Sequence, residues 1–428
     1  MKKAHIISVG NELLIGDTVN TNATWIGRFL TECGFTVERV HTIPDDYDLL
    51  DETIRFSLRE ADFTIITGGL GPTHDDITKK VVTDIFESKL VQNEKVLRHI
   101  EQIFEKRGFT LSQINIDQAL VPEHCEVLFN KQGTAPGMWF TQNGKHIAVL
   151  PGVPYEMKYL MKEHVKPKIF NLFKDQAVTV TEYFKTAGVP ESTLSEHIGN
   201  LDKYINNGIE IAYLPNPGGV TIRISTQAKN RDDAQKKLYK ISELVHQKAA
   251  YFIYGKGKNL RLAEVLGNIL TDRNLTIAVA ESCTGGLLSN SITDISGCSK
   301  YFNGSVIAYS NNMKMNVLNV REKTITENGA VSKQTALEMA KGIAKLTQSD
   351  IGVSTTGIAG PGGGTEEKPV GTIWMGFWID GEQFALKTVF TNNRLVNKER
   401  SVMVVLETLR RKLTGIQRLP YQLKPETD

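Results

Sequence analysis

The residues Thr276-Ile-Ala-Val-Ala-Glu281-Ser282-Cys283-Thr284-Gly285-Gly286-Leu287 constrain this chain more than any other stretch. The opening apolar, β-branched run is the pattern of a buried strand. Leu287, Leu288, Ile292 and Ile295 follow at the spacing of an apolar helix face. Ser282 therefore stands where a strand hands over to a helix. Such a turn exposes a side chain at the carboxyl end of a sheet and leaves free backbone N–H groups beside it. That suits a nucleophile and an oxyanion. The G-x-S-x-G elbow of hydrolases is a different turn, because Ala280 occupies its first glycine position. The same residues equally suit a plain capped helix behind a buried strand, with Ser and Thr as caps.

Two later stretches add chemistry. Asn303-Gly-Ser-Val-Ile-Ala-Tyr309-Ser-Asn-Asn-Met-Lys314 is another strand running into polar residues, with a lysine five positions after a tyrosine. Thr355-Thr356-Gly357-Ile-Ala-Gly360-Pro-Gly362-Gly363-Gly364 is a strand end opening into a glycine-dense loop. A serine, a lysine and a tyrosine at strand ends form a Ser–Lys amidohydrolase set, provided burial or a nearby cation keeps the lysine neutral. The glycine loop lets backbone N–H groups approach a phosphate. Cys283 reads as a small buried hydrophobe rather than a nucleophile.

Together these three motifs resemble the carboxy-terminal domain of the competence/damage-inducible protein A (CinA) family, and they span most of residues 256–415. The resemblance implies hydrolysis of the carboxamide of nicotinamide mononucleotide, with Ser282 as nucleophile, Lys314 as its base and Tyr309 as an orienting or relay group. Backbone amides at Thr284, Gly285 and Gly286 would hold the oxyanion. Thr356, Gly357, Gly360, Gly362 and Gly363 would bind substrate, and no cofactor is required. Family members show Gly-Asp-Arg near the start of the last helix and a further arginine four residues on. Here Asn392-Asn393-Arg394 and Lys398 stand instead. Lysine keeps the charge but loses the bidentate fork, leaving Arg394 and Arg400 as the expected anion-binding groups.

The first 170 residues alternate strands and helices. The strand 5–10 enters a polar loop holding Glu12 and Asp17; a helix follows through Trp25, Ile26, Phe29 and Leu30. After a strand at 35–40 and a helix at 47–59, Asp62-Phe-Thr-Ile-Ile-Thr67 runs into Gly68-Gly69-Leu-Gly71-Pro-Thr-His-Asp75-Asp76. This alternation predicts an α/β domain with a mainly parallel sheet, whose ligands bind beyond the carboxyl ends of the strands. Asp75 and Asp76 suit a hard divalent cation or a positioned water, or simply an N-cap and a solvated neighbour. The Thr67–Asp76 stretch and Pro151-Gly-Val-Pro-Tyr-Glu156-Met resemble the molybdopterin-binding, MoaB/MogA-like fold as carried by CinA proteins. That resemblance implies metal-dependent ADP-ribose pyrophosphatase activity. Asp17, Asp75 and Asp76 are the expected metal ligands, the cation's identity is open, and Glu12, Glu156, Gly68, Gly69 and Gly71 complete the site. The Nudix pattern is absent, so such activity would use another arrangement.

Three domains are expected: 1–173, 174–254 and 255–428. The middle one is a small α+β module with strands at 179–186, 209–214 and 221–227 and a helix at 231–248. It resembles the family's KH-like domain, but Pro217-Gly-Gly-Val lacks the G-x-x-G clamp. A spacer or dimerisation role is expected rather than nucleic-acid binding, and a homodimer is the expected state. Composition agrees: 40% hydrophobic, 23% charged and net charge +2, without a basic stripe. The four cysteines show no C-x-x-C, and no apolar run is long enough for a signal peptide or membrane span. A cytoplasmic location is expected. Two other readings remain: a regulatory protein of competence or DNA damage with a degenerate site, and a molybdopterin-handling protein suggested by fold alone.

Overall fold

Strand–helix alternation builds three sheets of four or more strands along the chain, and a separate two-stranded pair. The computed structural model describes residues 2–71, 76–173, 177–205 and 207–426. It divides into two units, one of residues 1–180 with 227–236, the other of residues 181–226 with 237–428.

In the first unit the strands are β1 (Lys3–Val9), β2 (Thr36–Ile43), β3 (Phe63–Thr67), β4 (Leu90–Gln92), β5 (Leu120–Pro122), β6 (Glu126–Leu128), β7 (Gly137–Gln142) and β8 (Lys145–Leu150). Six of them form one sheet in the order β2-β1-β3-β8-β7-β6, while β4 and β5 pair separately. The first four are mutually parallel; β7 runs antiparallel to β8, and β6 antiparallel to β7. Period-two alternation sends Ile6, Ile65 and Ala148 to one face, against Ile26 and Leu30. Ile7, Ile66 and Val149 go to the other, against Leu50, Ile54 and Val81. The polar loop expected to hold Glu12 and Asp17 begins as a short helix, Asn11–Leu14. The segment that closes the domain is three pieces: Pro154–Leu160, a π-helical turn Met161–Val165, and Lys166–Leu172. Pro167, which has no N–H and crowds the preceding turn, accounts for the interruption.

His5 is buried, its Nδ1 3.1 Å from Ser57 Oγ, and its ring meets that of His41 edge-on at 5.8 Å. The Nε2 atoms of both imidazoles lack a hydrogen-bond partner. Burial lowers both pKa values. The neighbouring imidazole and Arg39 add to this at His5, against Glu38 and Glu60, and Arg39 adds to it at His41. A folded-state pKa below the unfolded value near 6.5 means that the unfolded chain binds more protons there. Stability is then present above about pH 6.5 and lost as pH falls toward the lowered values. The thermal midpoint of this unit should drop between pH 7 and 5, and the drop should shrink in His41→Gln. A flat midpoint over that range would count against the pair.

The middle module comprises β9 (Val178–Thr186), β10 (Ile209–Asn216), β11 (Gly219–Ala228) and β12 (Ile253–Lys256), in the order β10-β11-β9-β12. The domain boundary expected between 254 and 255 therefore falls within β12, which is paired antiparallel with β9.

The last domain holds β13 (Ile277–Glu281), β14 (Phe302–Ile307), β15 (Ile351–Gly357), β16 (Thr372–Ile379) and β17 (Glu382–Val389), ordered β14-β13-β15-β16-β17. β13 lies parallel to β14 and β15, whereas β15, β16 and β17 are antiparallel. Helices Leu262–Asp272, Leu287–Thr293 and Arg394–Leu413 cover one face through Leu266, Leu288, Val402 and Leu409. Lys333–Thr347 covers the other through Met339 and Ile343. That helix lies so close to the sheet that a Cβ at Gly352 would sit 2.1 Å from Ala340 O, and one at Gly376 2.2 Å from Ala336 O.

The last helix is tied to the middle module. Glu407, fully buried, accepts from Arg410 Nε and Nη2, each at 2.8 Å, and from Arg411 Nε at 2.6 Å. Arg411 Nη2 donates on to Ala187 O at 3.0 Å and Arg410 Nη2 to Tyr251 O at 3.3 Å.

Candidate active site

β13 and β15 end side by side, and Ser282 and Cys283, just past β13, join Thr356 and Gly357 at the end of β15 in lining a cavity of about 230 Å³. Ser282 follows β13 directly; its N–H donates to Thr355 O at 2.9 Å, extending the parallel pairing by one step. The chain then turns through Gly285 (φ +59°) and Gly286 (φ +95°), left-handed conformations open to glycine. This turn aims Ser282 Oγ at Lys314, whose Nζ lies 3.1 Å away.

Lys314 comes from the helix Asn311–Leu318, which Ser310 caps by accepting from Met313 N. Its side chain is 1% exposed, and its Nζ also reaches Ala308 O at 2.8 Å and Tyr309 O at 3.3 Å. Burial lowers its pKa, against a smaller opposing pull from Cys283. Lys314 Nζ is placed to donate to all three oxygens; once neutral, the amine keeps its two carbonyl bonds and turns its lone pair to the serine hydroxyl. Cys283 is not a rival nucleophile, since burial pushes its thiol up to about 12.

Other expected residues fall in different places. Thr356, Gly357 and Arg394 line the cavity, with Asn311, Ala330, Val331 and Ala359 as further walls. The Thr356 hydroxyl is committed to Ala330 O at 2.6 Å. Thr284 Oγ1 lies 2.6 Å from Thr355 Oγ1. Gly286 does not offer its amide to an oxyanion, because Glu281 Oε2 takes it at 2.9 Å, and Gly285 N donates to Ser282 O. Among the described residues the amides of Cys283 and Thr284 have no such backbone partner. Tyr309 is 61% exposed, and its hydroxyl accepts from Arg394 Nη2 at 3.0 Å rather than meeting Ser282. Arg394 also donates to Gly360 O at 3.2 Å, and Gly362 and Gly363 lie on the exposed loop beyond. Arg400, expected as an anion-binding group, lies over the Phe390 ring, 6.0 Å from its centroid, and is not among the residues that line the cavity. Two residues earlier on the same helix, Lys398 brings Nζ to 3.7 Å from where a Gly285 Cβ would be.

Two residues escaped the sequence reading. Asn397, fully buried, donates to Ala359 O and Thr391 O and accepts from Thr391 N, pinning the glycine loop to the last helix. Glu281 is buried with both oxygens in use. An acidic residue closing an apolar strand signals a local cap, because a buried carboxylate needs donors.

In the first unit the loops after β3 and β8 meet, with Thr67 Oγ1 donating to Pro151 O at 2.9 Å. Asn22 Nδ2 donates to Gly152 O at 2.7 Å and Thr67 Oγ1 at 3.2 Å. Gly68 and Gly69 have positive φ, and side chains there would strike Val9 O and Thr78 Oγ1. Asp76 lies against Gly71, where a Cβ would be 2.6 Å from its Oδ2. Glu156 is buried and accepts from Asn130 Nδ2 at 2.6 Å; burial raises its pKa, against hydrogen bonds from Asn130 and Tyr155. Glu12 and Asp17 are exposed. Asp75 lies outside the described residues, among which no three metal-ligating side chains converge. The described carboxylates alone do not complete a divalent-cation site.

Family profiles match in the same order as the three sheets. "Probable molybdopterin binding domain" covers residues 5–171, "Damage-inducible protein CinA KH domain" 181–255 and "CinA C-terminal domain" 259–413. A CinA-like protein of Chloroherpeton thalassium is 42% identical over 421 residues, covering 96% of this chain and 99% of the relative. The chain belongs to the CinA family. A CinA-like protein of Cytophaga hutchinsonii is 38% identical over 414 residues, covering 97% and 99%. A crystal structure of CinA from Thermoplasma acidophilum shares 39% identity, covering 39% of this CinA-family chain and 98% of the other, with a TM-score of 0.36. No helix among the described residues is long and apolar enough to cross a membrane.

Proposed function

We propose that the C-terminal site hydrolyses the carboxamide of nicotinamide mononucleotide to nicotinate mononucleotide and ammonia. The observation that carries this reading is the buried Lys314 amine, 3.1 Å from Ser282 Oγ, with two backbone carbonyls as its other partners. A neutral Lys314 takes the hydroxyl proton as Ser282 Oγ bonds to the carboxamide carbon. The amides of Cys283 and Thr284 are the donors left for the oxyanion. Lys314 returns the proton to the departing nitrogen, ammonia leaves, and water, deprotonated by the same amine, cleaves the ester. The small walls at Ala330, Val331 and Ala359 suit a flat ring, and Arg394 and Lys398 supply positive charge for a phosphate. Incubation with nicotinamide mononucleotide should release ammonia and nicotinate mononucleotide in equal amounts, and Ser282→Ala should release neither. Binding without ammonia release would favour the regulatory reading.

For the first unit we infer a nucleotide ligand at the Gly68–Gly71 turn, beyond the carboxyl end of β3, and ADP-ribose cleavage as the activity that fits it. Asp76→Ala should abolish ADP-ribose turnover and leave ammonia release untouched, because the two sites lie on separate units. Undiminished ADP-ribose cleavage in that variant would remove Asp76 from the role.

A further inference from the structure

We infer that Glu281 is a positioning residue for the Ser282 nucleophile, acting by folding the 282–286 turn back onto the end of β13. The inference rests on the Ser–Lys reading of the site. The Glu281 carboxylate is 0% exposed. Oε2 accepts from Gly286 N at 2.9 Å and Leu288 N at 3.1 Å, and Oε1 accepts from Ser289 N at 2.8 Å and Ser289 Oγ at 2.5 Å. Four donors therefore converge on one side chain, all from the end of the glycine turn and the helix that follows it. The nucleophile sits inside the loop so closed.

The backbone of Ser282 is held from two directions. On one side its N–H is fixed to Thr355 O; on the other, the chain four residues later is drawn back by Glu281. Gly285 and Gly286 make that reversal sterically possible, but glycine also leaves the turn loose unless something holds it. Without the carboxylate, three backbone N–H groups and a hydroxyl lose their acceptor, and the turn opens to find another. Ser282 Oγ then moves off the 3.1 Å line to Lys314 Nζ, while the cavity walls at Ala330, Val331 and Arg394 belong to other elements and stay. The consequence is specific: reactivity of the serine falls, and affinity for the substrate holds.

The test uses the full chain and a serine-directed fluorophosphonate, which reports Ser282 reactivity whatever the natural substrate. In Glu281→Ala the labelling rate and kcat should fall together by on the order of 100-fold, as a displacement of about 1 Å implies, with KM within about threefold. Glu281→Gln keeps one acceptor oxygen for the Gly286 and Leu288 amides, so it should recover about tenfold of that loss. A merely stabilising cap would lower the unfolding midpoint without this split between kcat and KM or the recovery. Labelling of folded Glu281→Ala within threefold of the parent overturns the inference. Should that variant not fold, Glu281→Gln labelled at the parent's rate overturns it equally. A parent labelled at Ser282 yet inert toward nicotinamide mononucleotide would sink the substrate reading alone; a parent not labelled at all would sink both.

Discussion

Lys314→Arg should stop amide hydrolysis as completely as Lys314→Ala, with kcat lower by on the order of 10²–10⁴-fold in each. The serine hydroxyl is a poor nucleophile until a base takes its proton, and lysine is a base only when neutral. Burial lowers the Lys314 pKa from its ordinary 10.5. The neutral fraction grows as pH rises through that lowered value, so the limb of the activity profile set by this residue should rise at a pH below that of a free lysine. A guanidinium keeps its proton across this range. It also cannot match the present geometry, in which two carbonyls and a hydroxyl surround one nitrogen. Ser282→Cys should retain a trace of turnover, because a thiol ionises more readily. The decisive measurement is kcat and KM of Lys314→Arg. A near-normal kcat would mean that Lys314 supplies only positive charge, and the Ser–Lys mechanism would have to be dropped.

What the sequence made legible is what local pattern determines. The strand at Ile277–Glu281 and its turn follow from β-branching and glycine. Ser282 and Lys314 were findable because each closes or follows such an element. The occupancy of backbone donors was not. Gly286 and Thr284 look alike as oxyanion donors in sequence, and only the path of the Glu281 side chain separates them. Arg400 and Lys398 illustrate a second limit. Both are cations on one helix, two residues apart, and the helical period turns them to different faces, one over Phe390 and the other beside Gly285. The third limit is distance along the chain. Arg411 and Ala187 are 224 positions apart, and no periodicity links them. The boundary expected at Tyr254 therefore cut through β12, which pairs with β9.

That last contact leads to the largest stability effect. Glu407→Ala should destabilise the C-terminal unit by about 3–5 kcal/mol, the usual consequence of removing one partner from a buried ionic cluster. Arg411 is fully buried, and its pKa is lowered chiefly by that burial, against the pull of Glu407. Arg410 is 6% exposed. Removing Glu407 leaves two guanidinium groups with backbone carbonyls as their remaining acceptors: Ala187 O and Arg418 O for Arg411, Tyr251 O for Arg410. Carbonyls orient the charge without neutralising it. Glu407→Gln, which keeps one acceptor oxygen, should lose less than Glu407→Ala. Replacing Glu407, Arg410 and Arg411 together by apolar residues of similar volume should cost less than Glu407→Ala alone, because no unpaired ion remains. Urea unfolding followed through the tryptophans of β16 reads this unit directly. A loss below about 1 kcal/mol in Glu407→Ala would show that water reaches the guanidinium groups. The same reasoning changes what a useful fragment is. A chain starting at residue 257 keeps all three amidohydrolase motifs but discards Ala187, Tyr251 and Phe252, leaving Arg410 and Arg411 uncovered. It should unfold at lower urea than a chain starting at residue 178, which retains β9 and β12. The helix that carries Arg394, Asn397 and Lys398 at one end is the helix these arginines anchor at the other. The fragment that keeps the middle module should therefore also keep more of the proposed amidase activity.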